Sequence, residues 1–169
     1  EKGDNLMEKM LTGLYIEDEK KNIELMQARF ELYRLKLLGL CEYPQSVENF
    51  YEYIIENDVD FLLIDHELDK LHVSYKGIDV LKEIRKQDSN IYAVLLTNYP
   101  LDNYKTELEE YDFQLNKSEL ANISKMQELT AKIKRACGNR QENKDLAFMD
   151  TQNRNLQEIL EQLRDMKKK

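Results

Sequence analysis

The chain has 169 residues, of which 41% are hydrophobic and 34% are charged, and its net charge is −8. This length can bury one proper core, and a content of five glycines and two prolines excludes a disordered or collagen-like chain. The acidic charge argues against nucleic acid as a direct ligand, because phosphate backbones bind to basic surfaces.

The chain also lacks the features of a membrane or secreted protein. No apolar stretch approaches the roughly 20 residues that a membrane span needs. Cys41 and Cys137 lie far apart, and no histidine or cysteine stands near either at metal-ligand spacing. We therefore expect a reduced, cytoplasmic protein with buried thiols.

Five apolar runs predict buried strands, because the strands of a parallel sheet read as continuous apolar stretches. They are residues 11–16, 35–43, 60–64, 92–96 and 112–115. Helical periodicity marks residues 21–33, 46–57, 77–87, 101–111 and 123–137, and Gly138 is expected to end the last of these helices. Such alternation predicts an α/β fold with a doubly wound, five-stranded parallel sheet.

Two extensions flank the predicted domain, which spans residues 11–138. Residues 1–10 read as a polar N-terminal extension, and residues 139–147 read as a polar linker to a C-terminal amphipathic helix at 148–169. That helix has an apolar stripe at heptad spacing, formed by Met149, Leu156, Ile159, Leu163 and Met166. The stripe predicts either packing on its own domain or a homodimer of paired helices.

Polar side chains follow four of the predicted strands. Glu17 and Asp18 come after the first, Asp65 after the third, Thr97 after the fourth and Lys117 after the fifth. In doubly wound sheets, ligands bind outside the carboxyl ends of the strands, where the strand order reverses. The sequence therefore predicts one site that combines carboxylates, a hydroxyl and an ammonium group.

This set of residues resembles the receiver domain of two-component response regulators. That family has an acidic pair after strand one, a phosphoacceptor Asp after strand three, Thr or Ser after strand four and Lys after strand five. The resemblance covers roughly residues 11–137, and "GIDVLKEIR" at 77–85 is similar to the glycine-led third helix of the family. It implies a flavodoxin-like receiver fold with a C-terminal helical extension.

The resemblance also implies a magnesium site. Asp18 and Asp65 would bind Mg²⁺ directly, Glu17 would bind it through water, and the backbone carbonyl of Glu67 would add a ligand. Mg²⁺ keeps several waters and needs few carboxylates when phosphate oxygens complete its shell.

The implied activity is that of a phosphoacceptor and not of an enzyme. Asp65 would take a phosphoryl group from a phosphohistidine, so the partner would be a histidine kinase or a phosphotransfer protein. Lys117 would pair with the phosphoryl group and Thr97 would hydrogen-bond it, which couples phosphorylation to a loop shift. The output would be interaction with other proteins.

The sequence departs from the family pattern at three positions, and two other functions stay open. Asn98 stands where the family has a small residue, Ser118 where it has Pro, and Gln114 near the usual place of a switch aromatic. A pseudo-receiver scaffold that no longer accepts phosphate is one alternative. A Toprim-like metal-dependent enzyme is the other, with the acidic residues of 65–67 as its metal pair. His66 and His72 flank the loop from Asp65 to Gly77. A metal role for them is one alternative, and we expect them instead to be solvated.

Overall fold

A computed structural model of the chain describes residues 9–41, 47–68, 74–98 and 112–168. Its strands are β1 (Thr12–Ile16), β2 (Lys36–Leu40), β3 (Phe61–Asp65), β4 (Tyr92–Thr97) and β5 (Phe113–Asn116). Its α-helices are α1 (Lys20–Glu31), α2 (Phe50–Glu56), α3 (Gly77–Gln87) and α4 (Ile123–Lys167). Two 3₁₀ turns, Val47–Asn49 and Lys117–Ala121, precede α2 and α4.

The five strands form one sheet in the order β2-β1-β3-β4-β5, and every neighbouring pair is parallel. This is the flavodoxin-like order, in which the strand sequence reverses between β1 and β3. Ile16 lies beside both Leu40 and Ile64, and Thr97 lies beside Asn116. The predicted fold class is therefore confirmed, and the carboxyl ends of the strands meet at one edge.

Alternate residues of the central strands point to opposite faces, as the pleat of a strand requires. Leu14, Ile64 and Leu95 belong to a core with the buried side chains of α2 and α3. The other face forms a second core with α1 and the first part of α4, in which Phe30 stacks on Phe61 with 6.1 Å between ring centroids. Apolar residues on both faces explain why the strands read as continuous apolar runs.

The C-terminal region differs from the prediction. Helix α4 is continuous over 45 residues, so Gly138 does not end it, and the expected polar linker at 139–147 is helical. A glycine costs a helix about 1 kcal/mol relative to alanine. Good helix-forming residues in the flanking turns can offset this cost. A Cβ at Gly138 would meet nothing within 4 Å, so no close packing requires a glycine there.

The remaining predicted elements agree with the structure to within a few residues. Strand β2 is shorter than the predicted 35–43, and β5 begins one residue later than predicted. The helix predicted at 101–111 and residues 1–8 of the predicted N-terminal extension at 1–10 lie outside the described residues. None of the helices in the described part of the chain combines the length and apolarity that are needed to cross a bilayer.

Candidate functional site

The predicted site residues gather at the carboxyl edge of the sheet. Glu17 and Asp18 directly follow β1, Asp65 is the last residue of β3, Thr97 is the last residue of β4, and Lys117 directly follows β5. Because β1 and β3 are neighbours at the point where the strand order reverses, the two acidic strand ends lie side by side. The topology alone thus brings distant parts of the sequence to one place.

Three carboxylates form the centre of this site. Glu17, Asp18 and Asp65 each offer an oxygen, and these oxygens lie within 4.8 Å of one another. Glu17 is 0% and Asp65 1% exposed, whereas Asp18 is half-buried. Oxygen donors at this spacing suit a hard divalent cation such as Mg²⁺, which commonly binds through one or two carboxylates and keeps several waters.

Lys117 supplies positive charge to the same cluster. Its Nζ lies 2.5 Å from Asp65 Oδ2 and 3.2 Å from Glu17 Oε2, and its side chain is 19% exposed. The following 3₁₀ turn is anchored by Asn116, whose side-chain oxygen accepts hydrogen bonds from the Ser118 backbone N–H and hydroxyl. We call Glu17, Asp18, Asp65 and Lys117 together the acidic side of the site.

The pKa values of the two buried carboxyl groups, Asp65 and Glu17, are shifted in opposite directions. Burial and the neighbouring charge of Glu17 raise the pKa of Asp65 to about 7, against the opposing effect of the Lys117 ammonium. Burial also acts to raise the pKa of Glu17, but hydrogen bonding to Asp18 and the charge of Lys117 lower it to about 2. Glu17 is therefore permanently ionised at neutral pH, while Asp65 exchanges its proton there.

Local hydrogen bonds explain why Glu17 is held as an anion. The Tyr15 hydroxyl donates to Glu17 Oε2 at 3.0 Å, and the Glu19 backbone N–H donates to Glu17 Oε1 at 3.2 Å. Hydrogen bonds to the charged form of a carboxyl group favour that form. Lys117, at the end of β5, also favours the anion through its charge. Burial acts to lower the pKa of Lys117 itself, but the hydrogen bond to Asp65 raises it, and the net shift is upward.

The backbone around Asp65 is closely packed. The Glu67 backbone N–H donates to Asp65 Oδ1 at 3.1 Å, which orients the carboxylate. A Cβ at Gly77 would lie 2.2 Å from the backbone oxygen of Asp65, so only glycine lets the start of α3 approach this strand end. The Gly77 N–H also donates to the backbone oxygen of His66 at 3.2 Å.

A second group of contacts surrounds the end of β4, and we call it the Thr97 side. The Thr97 hydroxyl, which is fully buried, donates to Glu67 Oε1 at 3.2 Å. Asn98 donates to the same carboxylate twice, from its backbone N–H to Oε1 at 3.4 Å and from its side-chain Nδ2 to Oε2 at 3.3 Å. The Glu67 side chain thus occupies both the hydroxyl and the backbone donor at the end of β4.

Sequence reasoning missed this use of Glu67, because it gave that residue a role through its backbone carbonyl alone. Asn98 was the available signal, since an amide after Thr97 can bind a carboxylate that a small residue would leave free. The expectation for His66 is wrong as well. His66 is 2% exposed and its backbone N–H donates to the Leu96 oxygen, so it belongs to the sheet edge and is not solvated. His72 lies outside the described residues.

Comparisons with known proteins agree with the strand order. The chain is similar to a response regulator receiver domain protein from Clostridium thermocellum, with 23% identity, a TM-score of 0.60, and coverage of 78% of this chain and 98% of that one. It is also similar to the response regulator TrrA from Thermotoga maritima, solved with Mg²⁺-BeF, with 22% identity, a TM-score of 0.59, and coverage of 73% and 99%. The chain has the receiver-domain fold.

A third similar structure is the complex of histidine kinase ThkA with response regulator TrrA, at 22% identity and a TM-score of 0.59, covering 73% of this chain and 98% of that chain. No protein-family model and no curated protein matches the sequence. The receiver fold and an acidic cluster at its switch point are therefore the established features.

Proposed function

We propose that the chain is a phosphoacceptor module of a two-component system, which receives a phosphoryl group on Asp65 in a Mg²⁺-dependent manner. The observation that carries this proposal is the arrangement of the acidic side: three carboxylates and Lys117 at the switch point of a receiver fold. The donor would be a histidine kinase or a phosphotransfer protein, and the complex of TrrA with ThkA supports a partner of this class.

Asp65 is the nucleophile in this proposal. One of its oxygens attacks the phosphorus of a phosphohistidine, a P–O bond forms as the P–N bond breaks, and the histidine nitrogen leaves to take up a proton. The attack requires the ionised carboxylate, and with its pKa at about 7 Asp65 is partly protonated at neutral pH. The Glu67 N–H bond to Oδ1 holds the group in place during the attack.

Asp18 and Asp65 would hold Mg²⁺ directly, Glu17 through a water, and the Glu67 carbonyl would complete the protein ligands. When bound, the ion supplies positive charge to the phosphoryl oxygens and to the carboxylates. The permanent charge of Glu17 keeps a negative potential at the site at any pH near neutrality.

Lys117 would move with the negative charge. In the unphosphorylated protein its ammonium pairs with Asp65 and Glu17, at 2.5 and 3.2 Å. Once Asp65 becomes an acyl phosphate, the charge shifts to the phosphoryl oxygens, and the flexible lysine side chain follows them. Glu17 retains its bonds from Tyr15 and Glu19 and stays fixed.

Two alternatives are weaker. A Toprim-like metal-dependent enzyme gives no role to Lys117 or to Thr97, although both residues reach the site. A pseudo-receiver scaffold has one observation in its favour, namely that Glu67 already occupies the donors of Thr97 and Asn98. That contact affects the response to phosphorylation, and it leaves the nucleophile and the metal ligands in place.

The test is intact mass measurement after incubation with Mg²⁺ and a small acyl phosphate. We expect the parent chain to gain the mass of one phosphoryl group and Asp65→Asn to gain none. Asp60→Asn is the matched control, because Asp60 precedes β3 and its carboxylate accepts a hydrogen bond from the Thr12 N–H away from the site. If the parent chain gains no mass from the acyl phosphate or from a phosphorylated histidine kinase, the proposal is contradicted and the pseudo-receiver is favoured.

A further inference from the structure

Helix α4 consists of two parts with different surroundings. Its first part packs on the domain, where Met126, Leu129, Ile133 and Cys137 are at most 4% exposed. From Gly138 onward, every side chain that the structure describes is exposed. Thirty residues separate Cys137 from the end of the helix, which corresponds to about 45 Å of helix beyond the last buried contact.

The projecting part has an apolar seam. Met149, Leu156, Ile159, Leu163 and Met166 are between 52% and 73% exposed, and they alternate at spacings of three and four with one missing position. That position is occupied by Gln152. With Met149 as position a, the seam is Met149, Gln152, Leu156, Ile159, Leu163 and Met166 at successive a and d positions. Most helical stability in proteins comes from packing of an apolar face, so the seam needs a cover.

The placement of charge allows the seam to pair with a second copy of the chain. Between Leu146 and Lys168, all charged side chains except Lys167 fall at heptad positions b, c and f, which face away from a paired helix. The e and g positions beside the seam are otherwise uncharged, namely Leu146, Phe148, Asn153, Asn155, Leu160 and Gln162. A second copy therefore meets no like charge at the seam, although residues 139–169 carry seven Lys/Arg.

Gln152 selects the orientation of the second helix. In a parallel, in-register pair, Gln152 meets Gln152 of the other copy, and the two amides can hydrogen-bond to each other. In an antiparallel pair, it would face Leu163, and a buried amide without a partner costs free energy. A single polar core position is a known device for fixing register in coiled coils.

We propose that the seam at 149–166 pairs with the seam of a second copy as a parallel, in-register coiled coil. This pairing places the two receiver domains at the same end of the coiled coil. The proposal is independent of phosphorylation at Asp65. The whole chain has a net charge of −8, and residues 139–169 have a net charge of +1. Residues 1–138 therefore have a net charge of −9. Because the two acidic bodies come together, salt is expected to strengthen the association, whereas a partner recognised by opposite charge would weaken with salt.

The first experiment is sedimentation of the full chain from low to high micromolar concentration. We expect a concentration-dependent mass of two chains and a loss of association of at least about tenfold in Leu156→Glu. Gln157→Glu, which adds the same charge at the neighbouring position b, is expected to sediment like the parent. A mass of one chain throughout, or of three chains, would overturn the pair, as would equal association of both variants. Circular dichroism at high concentration checks that both variants stay folded.

The second experiment tests the orientation through oxidative cross-linking. In the parallel pair, the cysteine of Met149→Cys faces the same cysteine of the second copy, so this variant is expected to form a disulfide-linked dimer. Thr151→Cys, at the outer position c, and the parent with Cys41 and Cys137 are the controls and should remain monomeric on a non-reducing gel. If Met149→Cys links no better than Thr151→Cys, the parallel register is wrong.

Discussion

The acidic side and the Thr97 side of the site lie at neighbouring strand ends but are built differently. On the acidic side, two buried carboxylates share the ammonium of Lys117, and their charges do not balance. On the Thr97 side, the Glu67 carboxylate accepts three hydrogen bonds and the donors are all used. The first arrangement has capacity for a cation, while the second is already satisfied. If the site accepts a phosphoryl group as proposed, the difference predicts that the Thr97 side restrains the response.

The largest expected effect on metal binding comes from removing one ligand on the acidic side. Asp18→Asn is expected to weaken Mg²⁺ binding by at least about tenfold, or roughly 1.4 kcal/mol, because a neutral amide replaces a carboxylate that would contact the ion directly. A metal titration by calorimetry measures it. Glu19→Gln is the control, since it removes the same charge one residue away from the proposed ligands. Equal affinity in Asp18→Asn and the parent would show that the ion binds elsewhere.

The acidic side was predictable from the sequence because its positions depend on the backbone. Apolar runs locate the strand ends, and a doubly wound sheet brings those ends together, so Glu17, Asp18, Asp65 and Lys117 could be placed without coordinates. The pairing of Lys117 with both carboxylates was not predicted, because it depends on how a long side chain folds back over the edge. The contact between Glu67 and Thr97 was not predictable for the same reason.

The continuity of α4 shows another limit of sequence reasoning. Gly138 and the polar residues after it resemble a helix end followed by a linker, yet the helix runs through them. A glycine is a weak terminator when its backbone can adopt helical angles and no proline follows. The apolar seam beyond it was recognised from periodicity, which persists whether or not the segment before it is helical.

A second prediction concerns the stability of the metal-free protein. The pKa of Asp65 is raised to about 7, so the folded state holds this proton more tightly than the unfolded chain. The stability that the group contributes is therefore full in acid, below its ordinary pKa near 4, and it is lost as the pH rises through 7. Asp65→Asn, which cannot ionise, should be more stable than the parent at pH 8 by an amount on the order of a few kcal/mol.

Thermal unfolding of both proteins without metal measures this difference. It should shrink towards zero as the pH falls to about 4. Adding Mg²⁺ at pH 8 is expected to stabilise the parent and to leave Asp65→Asn nearly unchanged, because binding to the folded state stabilises it by mass action. If the two proteins unfold at the same temperature at pH 8, the Lys117 ammonium neutralises Asp65 completely and the raised pKa is wrong.

The smallest expected effect is on the Thr97 side and concerns the conformational response. In the parent, Thr97 and Asn98 already donate to the Glu67 carboxylate, so a phosphoryl group must displace that carboxylate before it can use them. Gln114, which is half-buried on β5, also cannot pack as a buried aromatic would. We therefore expect amide exchange of β4 and the residues after it to change little when Mg²⁺ and beryllium fluoride are added.

Glu67→Gln separates these two restraints. The amide removes the negative charge that competes with the phosphoryl group, although its oxygen can still accept a hydrogen bond from Thr97. The variant is expected to respond to beryllium fluoride with greater protection at Thr97 and Asn98 than the parent shows, by a factor below about ten. Glu56→Gln, an exposed position at the end of α2, is the control for loss of one acidic charge. A large exchange response in the parent would show that Glu67 restrains nothing. A small response in both the parent and Glu67→Gln would instead assign the restraint to Gln114, whose replacement by an aromatic residue should then restore the response.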